Sequence, residues 1–207
     1  MLLSIETCFN KCSVCFYSGG KFYEKIDETK NNHTNSLPNF TEEIFQEHGV
    51  TVQNLKGIIV NHGPGSFTGI RIGIAFALGL STPFDIPLYG VSTLEALVLD
   101  DSPQEIAIRA IKDTVYFQEF EFGVKKMEAR SIEISEIPYC QNLKVVGFES
   151  NDVITKVINA KLLTQYETPS AKVLIERFLF KKTEIYTEPL YIRPVNAVIG
   201  AIKNIKQ

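Results

Sequence analysis

Residues 63–73 read Gly-Pro-Gly-Ser-Phe-Thr-Gly-Ile-Arg-Ile-Gly and follow directly on the apolar run Gly57-Ile58-Ile59-Val60. A strand, a glycine turn and a helix entry in immediate succession admit few architectures, chiefly those built from β–α units. The helix entry offers unpaired backbone N–H groups at the positive end of the helix dipole. It is therefore a ready place for a phosphate, or else a turn that has become a packing surface. Gly63, Pro64, Gly65, Ser66, Phe67, Thr68 and Gly69 are the candidate loop residues, with Ser66 placed to cap the helix.

Known phosphate loops fit this block poorly. A Walker A loop ends in Gly-Lys-Ser/Thr, whereas here Arg71 stands beyond Gly69 with no lysine nearby. A dinucleotide fingerprint needs a third glycine that residues 63–68 lack, and here a hairpin and a helix precede the unit. The helix carries a second signal. Gly69, Gly73 and Ala77 fall on every fourth position and form one smooth stripe. Each interior glycine costs about 1 kcal/mol against alanine, so the stripe implies close approach by another backbone, within the chain or across a subunit interface. Ile70, Ile74, Phe76 and Leu78 on the other faces imply burial on more than one side. Arg71 opposes the dipole in the first turns. It calls for a carboxylate of the same chain or an anionic group brought by a partner.

The rest of the chain reads as α/β. Strands are expected at 2–6, 12–17 and 21–28, a helix over 34–46, and a strand ending at Val60. A helix over 66–80, a strand at 88–91 and a short helix over 93–99 follow. Asp100-Asp101-Ser102-Pro103 is the linker candidate. Beyond it, strands at 106–111, 115–122, 127–134 and 145–148 precede helices over 151–163 and 170–181. The two halves, 1–102 and 103–207, thus share one order of elements.

The net charge of −3 and pI of about 5.7 argue against a chain that grips nucleic acid alone. The apolar stretch 70–80 is too short to span a bilayer, and the first residues lack a basic start. The expectation is a cytoplasmic protein with reduced cysteines. Cys12 and Cys15 lie three apart on one strand and so point to opposite faces, which rules out joint chelation. His33 opens the first helix, His48 suits its end and His62 precedes the turn, with no acid at ligand spacing. Ser66 has His62 four residues earlier, but Pro64 and two glycines intervene. No nucleophile–base pair or metal site is expected.

The 63–73 block resembles the signature of the TsaB (YeaZ) family of bacterial tRNA threonylcarbamoyladenosine synthesis nearly residue for residue. The likeness extends to Leu3-Ser4-Ile5-Glu6-Thr7, Cys12-Ser13-Val14, His33-Thr34, Gly90-Val91-Ser92-Thr93-Leu94 and Pro189-Leu190-Tyr191-Ile192-Arg193. The resemblance implies two ribonuclease H-like lobes of the actin, sugar-kinase and Hsp70 (ASKHA) superfamily, the first carrying the glycine block and the interface helices, the second degenerate. It implies a non-catalytic subunit that pairs with a TsaD-like catalytic chain, joined by a TsaE-like ATPase, for threonylcarbamoyl transfer to the adenosine beside the tRNA anticodon.

The interface residues so implied are His33, Leu37, Phe40 and Ile44 on the first helix, and Ile70, Arg71, Gly73, Ile74, Ala77 and Leu78 on the second. A charge at Ala77 is then expected to break the pair and spare the fold. No cofactor of the chain's own is implied, ATP or ADP belonging to the joint surface; tRNA is met only through the complex. Self-association through the same helices is the expected state without the partner.

Two features agree with a non-catalytic member: Thr93 and Leu97 stand where the catalytic relative has metal-binding histidines, and the Glu6–Asn10 loop holds no glycine. Two positions depart from the family: Arg109-Ala110-Ile111 stands where many members have Asp-Ala-Arg, and Glu6 replaces the commoner Asp. The competing reading is an active ATP-dependent kinase or transferase of the same fold.

Overall fold

The computed structural model describes residues 1–29, 32–146, 163–166 and 168–181. The helix expected over 151–163 lies outside these residues except for Leu163, which opens a strand, and the 189–193 segment lies outside them altogether.

The first sheet runs β3-β2-β1-β4-β5, with β1 at Leu2–Glu6, β2 at Cys12–Ser18, β3 at Lys21–Asp27, β4 at Ile58–Asn61 and β5 at Leu88–Val91. β1, β2 and β3 are antiparallel neighbours, while β4 lies parallel to both β1 and β5. Period-two alternation sends Leu3, Ile5, Val14, Phe16, Ile58 and Val60 to one face, where α1 (His33–His48) and α2 (Phe67–Ser81) cover them. Gly49 ends α1 in the left-handed conformation, with its N–H on the Gln46 and Phe45 carbonyls. The short helix α3 (Thr93–Ala96) follows β5 and is closed at its start by a reciprocal Ser92–Glu95 capping box.

The second sheet runs β11-β10-β6-β7-β8. Its strands are β6 at Gln104–Arg109, β7 at Thr114–Glu121, β8 at Val124–Lys125, β9 at Arg130–Glu133, β10 at Leu143–Val146 and β11 at Leu163–Tyr166. β9 also pairs with β7, and β6, β10 and β11 are parallel. An antiparallel set followed by parallel strands is the plan of both sheets.

α4 (Ala171–Phe180) crosses between the two halves of the chain. It belongs by sequence to the second half, yet it packs on the uncovered face of the first sheet, against Cys15, Ile59 and Val91. Polar contacts fix it there. Ser4 Oγ donates to the Ala171 carbonyl at 2.6 Å, and the Ala171 N–H donates to Ser13 Oγ at 2.8 Å. The physical reason is that a sheet with two apolar faces needs cover on both. By length and composition the span Phe67–Phe84, mean hydropathy 1.3, is apolar enough to cross a bilayer, which exceeds the 70–80 stretch read from the sequence. In the fold, Ile70, Ile74 and Ala77 of this span pack against the first sheet.

Candidate functional site

The glycine turn is filled by its own chain. Gly63 sits at φ 105°, a conformation that favours glycine. A Cβ on Gly65 would lie 2.5 Å from the Cys8 carbonyl oxygen, one on Gly69 only 1.9 Å from that of Thr7, and one on Gly73 2.4 Å from Thr7 Oγ1. The loop after β1 therefore rests directly on the turn and on the first turns of α2. The Thr7 hydroxyl donates to the Gly69 carbonyl at 2.8 Å, and the Ser66 N–H donates to the Cys8 carbonyl at 2.7 Å. Ser66 caps α2 as expected, its Oγ accepting the Gly69 N–H at 3.2 Å. The Gly63 N–H donates to Asn61 Oδ1 at 2.9 Å. Three N–H groups of this turn and helix entry are thus already satisfied by protein acceptors.

Behind the turn lies a closed polar knot. The Glu6 carboxylate is fully buried, and one oxygen accepts the Cys8 N–H at 2.6 Å while the other accepts Asn61 Nδ2. Asn61 Oδ1 lies 3.1 Å from Thr93 Oγ1, which in turn lies 2.8 Å from the Pro64 carbonyl. The Thr93 N–H donates to the Gly63 carbonyl at 2.9 Å. Burial pushes the Glu6 carboxyl up to about 7, against the pull of the Asn61 and Cys8 donors. Burial, with the Glu6 charge beside it, also raises the Cys8 thiol. Chemically the knot ties the ends of β1 and β4 to the start of α3. Sequence reading noted Glu6 and Thr93 singly and passed over Asn61. The available signal was an amide ending an apolar strand just before a glycine turn. Leu97, the other position compared with a histidine, packs in an apolar cluster with Leu94, Val98 and Ile106.

The expected interface residues separate into two groups. His33, Leu37, Ile44, Ile70, Gly73, Ile74 and Ala77 are buried within the chain, so they present no surface to a partner. Phe40 is half-buried, and Arg71 and Leu78 are exposed. The smooth stripe of Gly69, Gly73 and Ala77 is spent on the chain's own Thr7 loop and core, which decides between the two readings left open by sequence. A glutamate at Ala77, fully buried, would test folding and not docking. His33 opens α1 as expected, with Nδ1 finding no hydrogen-bond partner among the described residues. The Arg71 guanidinium lies 3.8 Å above the Phe67 ring, an attraction one helical turn away that neither sequence alternative considered.

The surface that does face outward is different. Thr68, Arg71, Ala75, Leu78 and Gly79 line the exposed side of α2, and nothing lies within 4 Å of where a Gly79 Cβ would be. Beside it, between the end of α1 and α2, runs an open groove of about 380 Å³. Phe45, Val50, Val52, Phe76 and Leu80 supply its apolar wall, with Glu42 and Gln46 at its edge. Elsewhere, Cys12 and Cys15 pack into clusters on opposite faces of the first sheet. Among the described residues no group of three or more histidine, cysteine or acidic side chains is placed to hold a metal ion.

The family model described as TsaD, tRNA N6-adenosine threonylcarbamoyltransferase, matches residues 26–189. The tRNA threonylcarbamoyladenosine biosynthesis protein TsaB of Buchnera aphidicola (subspecies Schizaphis graminum) is 34% identical over 97 residues, 47% of this chain and 46% of that protein. Its Escherichia coli K12 namesake is 33% identical over 93 residues, 45% of this chain and 40% of that protein. The chain thus aligns with less than half the length of these two relatives. TsaB of Buchnera aphidicola (subspecies Baizongia pistaciae) is 24% identical across 92% of this chain and 97% of its own length. Among solved structures, YeaZ from Pseudomonas aeruginosa superposes with a TM-score of 0.77 at 21% identity, covering 92% of this chain and 98% of that one. At that identity the likeness shows the fold, which is of the ASKHA type.

Proposed function

This chain belongs to the TsaB (YeaZ) family, within reach of the TsaD-type family model, and from that premise we propose that it is a non-catalytic subunit in threonylcarbamoyl transfer to tRNA. Its role is to bind and support a TsaD-like catalytic chain in the cytoplasm, with a TsaE-like ATPase joining the pair. One observation carries the reading: the Thr7–Cys8 loop is packed directly against the glycine turn and takes up donors of it, while the neighbouring outer face of α1 and α2 stands open. Three of the turn's donors, the N–H groups of Gly63, Ser66 and Gly69, already face acceptors of the same chain, which leaves fewer for a phosphate. An exposed helix face with small residues and an apolar groove suits a partner helix. The surface so assigned is Thr68, Arg71, Ala75, Leu78 and Gly79 with the Phe45–Phe76 groove, in place of the buried side chains expected from sequence. ATP or ADP, in this reading, binds at the joint surface and not to the chain alone. Without its partner the chain pairs with a second copy through the same face, and tRNA is reached through the complex.

The test is co-purification with a TsaD-like chain and a tRNA-modification assay, using Leu78→Glu. Leu78 is 42% exposed, so the variant is expected to stay folded while affinity falls by about tenfold or more. Modification should fall with it. Unchanged pairing on a sizing column removes the interface, and micromolar binding of magnesium-ATP by the isolated chain favours the kinase or transferase reading instead.

A further inference from the structure

The chain leaves the first sheet through residues 97–103 and returns to it with α4, so the junction between the two sheets is crossed twice. Two cations are buried there. Lys144, on β10 of the second sheet, is 8% exposed, and Arg177, on α4, is 4% exposed. Lys144 Nζ donates to the Leu97 carbonyl at 3.0 Å and to Gln104 Oε1. Arg177 donates from Nη1 to the Val98 carbonyl at 3.2 Å and from Nη2 to the Gly123 carbonyl at 2.9 Å. The carbonyls just past α3, which a helix end leaves without intrahelical partners, are thus taken one each by a cation of the second sheet and a cation of the helix on the first.

Neighbouring contacts draw the same two bodies together. Gly123, in the turn between β7 and β8, sits so close to α4 that a Cβ there would lie 2.7 Å from the Phe180 ring. The Phe122 N–H donates to the Asp101 carbonyl at 3.2 Å, and Lys181 pairs with the Asp101 carboxylate at 3.3 Å. Phe9, from the loop after β1, packs against both the core under α1 and α2 and the cluster of Leu97, Val98, Ile106 and Ile108. Burying a lysine and an arginine is costly unless fixed acceptors hold them. The acceptors of Arg177 lie on the connecting segment and the opposing turn, and those of Lys144 on the connecting segment and on β6 of its own sheet, so rotation of one sheet against the other would strand Arg177 and draw Lys144 off the Leu97 carbonyl.

We propose that Lys144, Arg177 and the Phe9 wedge lock the two sheets into a single arrangement, so that this chain moves as one body instead of opening and closing about residues 97–103. This rests on the packing of the chain alone and stands or falls independently of its part in tRNA modification. The test is a spin-label distance measurement on the full chain, with labels at the exposed positions Gln53→Cys and Glu128→Cys, one on each half. The expected result is one narrow distance distribution, unmoved by millimolar magnesium-ATP. Lys144→Met combined with Arg177→Met should widen it about twofold as hinge freedom returns. A second population or a nucleotide-dependent shift in the parent chain overturns the lock. So does an unchanged distribution in a double variant that still melts cooperatively. Phe9→Ala, which removes the wedge and no charge, decides the matter where the double variant does not fold: widening supports the lock, and no change overturns it.

Discussion

The two sides of α2 carry the same kind of residue to opposite ends. Inward, Gly69, Gly73 and Ala77 lie against the loop of Thr7 and the core, with no room for a methyl group at either glycine. Outward, Ala75 and Gly79 keep the same four-residue spacing on the exposed side, with nothing within 4 Å of where a Gly79 Cβ would be. A small residue is therefore no indicator of an interface by itself. What distinguishes the two stripes is whether something already occupies the space beside them. The inner stripe lets backbone approach backbone within the chain, and the outer one leaves that approach available to another molecule.

The sharpest way to break this comparison is Gly69→Ala. The added carbon would meet the Thr7 carbonyl oxygen at 1.9 Å, and that oxygen is backbone of the loop directly after β1, not a side chain able to swing aside. The expected loss is about 4 kcal/mol or more, at the severe end for overpacking. In a domain of this size that lowers the melting temperature by about 10 °C. Thermal unfolding followed by circular dichroism checks it. A melting temperature within a degree or two of the parent would mean the inner stripe is not the tight contact described.

The loop that presses on the inner stripe also holds Glu6, and its titration offers a second, smaller measure of how dry that side is. An ordinary glutamate titrates near 4.5 and this one is pushed up to about 7. The folded state therefore holds its proton longer than the unfolded state, so the group's contribution to stability falls as pH rises from 4.5 to 7 and is constant above. At about 1.4 kcal/mol per unit, the window amounts to about 3 kcal/mol. Glu6→Gln has no such titration, although its amide cannot reproduce both accepted hydrogen bonds and so carries a constant offset. The prediction concerns slope: between pH 5 and 7, denaturant unfolding should show the parent losing stability relative to Glu6→Gln. Parallel curves across that range would show that the carboxylate is better solvated than its burial implies.

Much of this was legible in the sequence, and the limit lies where local pattern meets long-range placement. β1, β2, β3 and β5 fall within a residue of their expected bounds because alternation and turn residues are local signals. The Ser66 cap and the opening of α1 at His33 are local too. The helix expected over 93–99 ends at Ala96 because Leu97 and Val98 enter an apolar cluster and their carbonyls go to Lys144 and Arg177, 47 and 79 residues onward. Periodicity identified both a smooth stripe and an apolar helix, but it carries no information about which side meets the sheet. That is why most of the interface side chains expected from sequence proved to be core. α4 lies close to its expected bounds, at Ala171–Phe180, but its seat on the first sheet was not legible, for the same reason.

The gentlest test of the comparison is Gly79→Ala, the outer counterpart of Gly69→Ala. Nothing lies within 4 Å of the new methyl group, and the backbone there is ordinary helix. The substitution removes the entropic cost of a glycine in a helix interior, so the isolated chain, at concentrations too low for two copies to pair, should gain up to about 1 kcal/mol. Urea unfolding of the pure protein measures the gain. The two alanine variants thus move stability in opposite directions, although they sit ten residues apart on one helix and alter the same atom. A loss at Gly79 would mean that its side of α2 is already covered in the free protein, by the chain itself or by a second copy. Repeating the titration at several protein concentrations separates those two cases, because only self-association makes stability depend on concentration.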